Sequence, residues 1–277
     1  MKIIDTHQHL WDLRQFPYSW CASLPVLNRS FGQDDYRAAA QDTGISKAVF
    51  VECDVDEPYA LAEAQHIQSL VEQNPLIAGI VASARPERAD FPAQLEALLP
   101  LSKLRGLRRV LHVVPDEVSQ SALFVANVRR LAALRLTFDL CVQARQLPLA
   151  VTLAQQCPDV QFILDHCGCP DVAGRAFDPW RSQLAGVGAL PNVVCKISGL
   201  VAYAGTRWTV NDIQPWVEHV VASFGWERVV WGGDWPVSTL TATLNRWVVA
   251  SEQLFAAATV EQRAKVFHQN AERIYRI

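Results

Sequence analysis

The 277-residue chain has no long run of lysine and arginine, and its formal net charge is only -3. Nothing in it therefore draws the protein electrostatically to nucleic acid or to anionic lipid. It also lacks any apolar run approaching the roughly 18 residues that a membrane helix needs. The amino terminus has no basic stretch followed by an apolar one, and Asp5, His7 and His9 come too early for a secretory signal. Neither G-x-G-x-x-G nor a P-loop is present, which speaks against a nucleotide-binding sheet. Missing too are Gly/Ser or Pro linkers, sequence repeats and low-complexity tracts, so one domain over 1–277 is expected. The seven cysteines (Cys21, Cys53, Cys141, Cys157, Cys167, Cys169 and Cys195) are odd in number and mostly isolated. They read as buried thiols of a reducing cytosol. Cys167 and Cys169 form a C-x-C pair, but no second pair completes a structural zinc site. What remains is a cytoplasmic protein whose partner is a small molecule.

Half of the residues are hydrophobic and 19% are charged, as a large core with strands covered on both faces requires. Short β-branched or apolar runs alternate along the whole chain with longer segments of helical periodicity, the pattern of βα units. The runs are Lys2–His7, Lys47–Cys53, Leu76–Ala82, Leu104–Leu111, Thr137–Val142, Gln161–His166, Val193–Ser198 and Arg228–Asp234. Between them lie predicted helices over Asp34–Thr43, Glu57–Asn74, Phe91–Leu99, Ser121–Leu134, Arg145–Cys157, Asp178–Val187 and Asp212–Phe224, with two more after the last strand. Eight parallel strands with crossover helices favour closure into a (β/α)8 TIM barrel. Such a fold carries its chemistry at the carboxyl ends of the strands.

The strongest local signal is Asp5-Thr6-His7-Gln8-His9, because a period of two puts His7 and His9 on one face at the end of strand one. Each later strand end adds a polar group: Glu52, then Arg108 and His112, Asp139, His166, Lys196 and Ser198, and Asp234. In a barrel these converge. Arg108 and Arg109 point in opposite directions, so only one faces inward. Asp139 within its strand needs a partner, an inward arginine being the expected one, because an unpaired buried carboxylate is costly. Asp234 reads either as a general base or as a carboxylate capping the helix that Pro236 would begin. The aromatic segment from Trp11 to Trp20 leaves the first strand at the catalytic end and is expected to cover one side of the pocket.

Four motifs, Asp5-Thr6-His7-Gln8-His9-Leu10-Trp11-Asp12, Leu164-Asp165-His166-Cys167-Gly168, Lys196-Ile197-Ser198-Gly199-Leu200 and Gly232-Gly233-Asp234-Trp235-Pro236, together resemble the second amidohydrolase-related family. Within it they are similar to the subgroup of sugar-acid and pyrone lactonases that includes L-fuconolactonase and L-rhamnonolactonase. The resemblance extends from Ile3 to the Asn270-Ala271-Glu272-Arg273 segment. It implies hydrolysis of an aldonic-acid lactone, with Asp234 as base and His166, His9 and His7 as the other catalytic residues. By the same resemblance Arg108 is the inward arginine and binds substrate. Glu52 is read as a hydroxyl or metal contact, or as a plain strand-end carboxylate; Trp11 and Trp235 are read as pocket walls or as core. Where metal-rich relatives carry a Lys or Glu on strand four and a His on strand five, this chain has Gly106-Leu107-Arg108-Arg109 and Phe138-Asp139-Leu140. A binuclear centre is therefore not expected. The resemblance implies that no cofactor is required, or that one divalent ion such as zinc binds His7, His9, His166 and Asp234. Two other classes stay open: a metal-dependent decarboxylase of the same wider family, and a non-catalytic binding barrel.

Overall fold

A computed structural model of the chain describes residues 1–71, 73 and 75–277. Eight parallel strands follow one another in sequence order: β1 Ile3–Gln8, β2 Ile45–Val51, β3 Ile77–Ser83, β4 Leu104–Val110, β5 Thr137–Cys141, β6 Phe162–Leu164, β7 Val193–Ile197 and β8 Val229–Trp231. Backbone bonds between the strands' far ends close the ring, Asp234 N to His7 O at 2.7 Å and His9 N to Trp235 O at 2.8 Å. The architecture is the predicted single-domain TIM barrel. Helices α1 Gln33–Ala40, α2 Ala60–Val71, α3 Phe91–Leu98, α4 Ala122–Leu134, α5 Leu147–Gln156, α6 Trp180–Gly188, α7 Val210–Phe224 and α8 Leu244–Leu254 surround it. A final run holds α9 Val260–Ala264 and α10 Asn270–Tyr275, joined by a π turn. The predicted second helix ended at Asn74, which lies outside the described residues. No described helix is long and apolar enough to cross a membrane.

Local chemistry sets the helix ends. Ser121 Oγ accepts from Phe124 N at 3.2 Å, and Thr259 and Gln262 cap each other reciprocally, so orphan amides of the first turns are satisfied. Inside the barrel, Ile4, Val49, Val51, Val81, Ile163, Val194 and Val230 form one apolar cluster, with Ile274 and Tyr275 of α10 packed against it. Towards the carboxyl ends the inward positions turn polar: Asp165 stands two after Ile163, and Lys196 two after Val194.

Several strands end earlier than their sequence suggests, and at two of them this decides how a site residue is presented. β6 stops at Leu164 and β8 at Trp231, whereas the apolar runs continued to His166 and Asp234. The reason is conformational: His166, Cys167 and Asp234 adopt φ of 53, 55 and 53°, a left-handed backbone that no strand continues. The two residues are thus presented on turns just beyond the strands.

The segment after β1 is held down by a buried acid. Tyr18 donates its hydroxyl to Glu63 of α2 at 2.9 Å, and Glu63 is fully buried. Burial, aided by Glu52, pushes its carboxyl from 4.5 up to about 8. The unfolded chain loses this proton near 4.5 and the folded chain keeps it to about 8, so stability falls as pH rises across that interval. The slope is about 1.4 kcal/mol per pH unit for one proton. Glu63→Gln keeps the acceptor for Tyr18 and cannot ionise, so urea melts at several pH values are expected to show a flatter profile and a variant more stable than wild type at the alkaline end. Parallel profiles would refute this.

Candidate active site

A cavity of about 300 Å³ opens at the carboxyl ends of the strands, lined by His9, Trp20, Asp54, Arg108, His112, Cys141, His166, Tyr203 and Asp234 among others. His7 lies directly beneath, fully buried. Its position depends on an irregularity. Ile4 packs inside the barrel and Asp5 reaches outward to Tyr36 of α1 at 2.8 Å, so strict alternation would send His7 outward as well. The register of β1 against β2 shifts between Asp5 and Gln8, and this returns His7 to the interior. Asp5 Oδ1 fastens the shifted backbone by accepting from His7 N at 2.9 Å and Gly233 N at 2.7 Å.

The rings of His7 and His9 meet edge to face with centroids 4.8 Å apart, and His166 lies 4.5 Å from His7. His9 Nδ1 donates to the Val51 carbonyl at 2.8 Å, so in a neutral ring Nε2 carries the lone pair. That nitrogen is 3.6 Å from Asp234 Oδ1, and His7 Nε2 is 3.8 Å from the same oxygen. Asp234 Oδ2 is buried with no hydrogen-bond partner among the described residues. The aspartate side chain does not cap the following turn, which instead uses its carbonyl as acceptor for Ser238 N at 2.7 Å. On the other side, His166 Nδ1 and Ser198 Oγ are 2.9 Å apart. Gly199, at φ +67°, makes room for that ring, since a Cβ there would lie 2.5 Å from His166 Nδ1.

Arg108 turns into the mouth while Arg109 turns away, its Nε bonded to Glu87 at 2.8 Å. The Arg108 guanidinium pairs with Glu52 Oε1 at 2.6 Å, touches the Glu52 carbonyl through Nη2, and sends Nη1 to His7 Nε2 and Asp165 Oδ2, both at 3.3 Å. Beneath it Lys196 Nζ meets Asp139 at 2.8 Å, Asp165 Oδ1 at 2.9 Å and His7 Nδ1 at 3.2 Å. Asp139 thus has a buried lysine as its partner, where an arginine was expected. Burial opposes the charge of Asp165, but Lys196, His7 and Arg108 together hold its carboxyl well below the usual range. Burial and then Lys196 push His7 well below the ordinary histidine value, and burial also lowers His166. His112 is pushed down to about 4 by burial and then by Arg108. Burial thus favours the neutral form of His7, His166 and His112 within a frame of fixed charges.

Four of the expected site assignments need correction. Glu52 is fully buried behind Arg108 and does not line the cavity; it orients the guanidinium. Trp11 also misses the cavity: it packs on Trp20 and Phe31 and donates its indole N–H to the Arg29 carbonyl at 2.7 Å. Trp235 likewise packs on Phe31 and Tyr36 and does not line the cavity. From the aromatic segment it is Trp20 that lines the pocket, tied to the Cys53 carbonyl at 2.7 Å. The four-residue ligand set divides as well. His7, His9 and Asp234 form one group able to hold an ion, and His7, Asp165 and His166 another, but no group of described residues unites His166 with His9 and Asp234. The bond from His166 to Ser198 keeps that ring on its own side. In the second group Lys196 already supplies the cation, so only the first is fit for a metal. Asp54 and Tyr203 sit on loops whose spacing carries no signal; Trp20, in a 3-10 turn, belongs to the aromatic segment expected at the pocket, and Asp165 is within reach of strand parity.

Residues 4–277 match the amidohydrolase family profile. The chain is 31% identical over 297 residues to an L-fucono-1,5-lactonase of Burkholderia multivorans, covering 98% of this chain and 95% of that one. An L-fucono-1,5-lactonase of Burkholderia ambifaria is 28% identical over 280 residues, with 99% and 95% covered. A crystal structure of a Burkholderia multivorans amidohydrolase with bound zinc superposes over the full length of both chains at a TM-score of 0.90 and 26% identity. With the profile spanning nearly the whole chain and the barrel mouth built as described, this protein belongs to the amidohydrolase family.

Proposed function

We propose that this protein hydrolyses a sugar-acid lactone, with Asp234 taking the proton from the attacking water. The observation that carries the reading is Asp234 itself: a buried carboxylate with an unpartnered oxygen, beside His9 Nε2, facing a cavity sized for one sugar ring. The lactonase names of the two Burkholderia relatives support the substrate class.

Water adds to the ring carbonyl as Asp234 accepts its proton. Negative charge then develops on the carbonyl oxygen, where it needs donors. A guanidinium has five N–H groups. The Arg108 contacts named above leave an Nη2 hydrogen for the cavity, and with Ser198 donating to His166 Nδ1, His166 presents Nε2–H. Collapse of the tetrahedral adduct breaks the ring C–O bond, the departing alkoxide takes the proton held by Asp234, and the hydroxy acid ionises. The donor set His7, His9 and Asp234 also fits one divalent ion, given the orphaned Asp234 Oδ2 and the lone pair of His9 Nε2. Such an ion would supply Lewis acidity to the same carbonyl. Seven free thiols, six of them buried, agree with a reducing cytoplasm.

A pH-indicator screen against five- and six-carbon aldonolactones tests the reading, since each turnover releases acid whatever the sugar. Silence across the panel would sink it. Repeating the assay after chelation separates two cases: unchanged rates assign water activation to Asp234 alone, and a loss reversed by zinc gives the ion a part. Arg108→Ala is expected to lower kcat/KM by about 1.5 to 3 kcal/mol of transition-state binding, with Arg109→Ala near wild type. Because Arg108→Ala strands Glu52, Arg108→Lys serves as the folded counterpart; it keeps charge but loses the fork. Greater damage from Arg109→Ala at unchanged stability would overturn the assignment.

A further inference from the structure

The acids around the cavity fall into two kinds. Glu52, Asp165 and Asp139 are each paired with Arg108 or Lys196. Two have no side-chain donor at hydrogen-bond distance among the described residues: Asp234, already assigned as base, and Asp54. Asp54 lines the cavity at the end of β2 with its side chain 30% exposed. Its backbone is fixed at φ 51°, with its amide donating to Glu52 Oε2 at 2.8 Å, so the side chain is held in place from behind. Yet no donor among the described residues reaches its carboxylate within hydrogen-bond distance. The nearest cation, Arg85, stands off at 3.9 Å, spends Nη1 on Ser83 Oγ at 2.8 Å and the Ala84 carbonyl at 3.1 Å, and lines a neighbouring cavity.

We propose that Asp54 is a specificity-determining residue that accepts a hydrogen bond from a hydroxyl of the lactone and, by its charge, selects neutral polyhydroxy lactones over lactones that carry a carboxylate. This rests on the sugar-lactone reading. An acceptor fixed in place but left without a protein donor is completed by a ligand rich in O–H groups, which a sugar ring is and a flat diacid is not. Arg108, the one cation among the described residues that line the cavity, is already neutralised by Glu52 and Asp165, so Asp54 and Asp234 leave it negative. The same charge acts on the product. Hydrolysis turns a neutral ring into an anion, and an anion formed beside the Asp54 and Asp234 carboxylates is driven out.

The test compares wild type, Asp54→Asn and Asp54→Ala on two substrate classes, neutral aldonolactones and the same rings with the terminal carbon oxidised to a carboxylate, with the product aldonate as inhibitor. Wild type is expected to favour the neutral class by tenfold or more in kcat/KM. Asp54→Ala should raise KM on neutral lactones roughly tenfold, the loss of one charge-assisted hydrogen bond, with kcat within about twofold. Asp54→Asn should lower KM for the carboxylated class and strengthen inhibition by aldonate, changes that a structural role would not produce. Asp54→Asn should melt like wild type, since Asn tolerates the left-handed backbone at φ 51°, whereas Asp54→Ala is expected to melt somewhat lower for that backbone reason alone. Equal turnover of both classes by wild type, or an unchanged preference and inhibition constant in folded Asp54→Asn, would overturn the inference alone. Inactivity of wild type on both classes would instead remove the lactonase reading, and this inference with it.

Discussion

Replacing Asp234 by Asn is expected to lower kcat by roughly 10² to 10⁴ while leaving the barrel folded and KM within a few-fold of wild type. Water attacks an ester carbonyl slowly unless a base accepts its proton as the bond forms, and that is the part assigned to Asp234. Asn keeps the size and one acceptor oxygen of the side chain and loses only its basicity. It also suits the backbone, since φ at this position is 53° and Asn is among the few residues that tolerate the left-handed region. The bond from the residue 234 amide to the His7 carbonyl, which helps close the barrel, is untouched. Single-turnover kinetics beside a thermal melt will check the result. A variant keeping more than about a tenth of wild-type kcat, far above what loss of a general base permits, would show that another group activates the water, with His166 next in line.

The part of this site that was legible in the sequence is the part governed by strand parity and motif order. Gly106 and Arg108 share a face of β4, and a Cβ at Gly106 would lie 2.1 Å from Thr137 Oγ1, which marks that face as crowded and inward. Parity misled where the backbone departs from it. His7 reaches the interior only through the shift in β1, so the H-x-H motif pointed correctly while the count from Ile4 would not have. Trp235, open between pocket wall and core from its adjacency to Asp234, resolves to the core, because Asp234 sits on a left-handed turn where strand alternation assigns no face. For Trp11, no parity rule applied at all, because β1 ends at Gln8 and the chain turns away. The sequence marks His166 and Asp234 as site residues but not as turn residues, since a left-handed turn at a histidine or aspartate leaves no compositional mark. Asp165 shows the reverse: it stands in the D-H-x-G motif, two after inward Ile163, but its role emerges only when Lys196 and Arg108 are seen converging on it.

Lys196→Met should be the most destabilising single change in the barrel mouth, costing about 3 to 5 kcal/mol. Lys196 is fully buried, and its ammonium meets Asp139 at 2.8 Å, Asp165 at 2.9 Å and His7 at 3.2 Å. An ammonium in such a place is unfavourable by itself; the two carboxylates more than offset the penalty and hold its pKa above the ordinary lysine value. Methionine fills much of the same volume, so the loss is not chiefly a cavity. What it leaves are two fully buried carboxylates and one cation fewer, of which Asp139 is the worse placed, since Arg108 still reaches Asp165 at 3.3 Å. Removing the stranded acid should therefore return part of the loss: Lys196→Met with Asp139→Leu is expected to be more stable than Lys196→Met alone, although Asp139→Leu alone destabilises. Urea melts of the four proteins form the double-mutant cycle that measures this coupling. Additive losses, with the double variant the least stable of the four, would mean that the lysine and aspartate act independently and that the charge frame beneath His7 is not the coupled unit its distances describe.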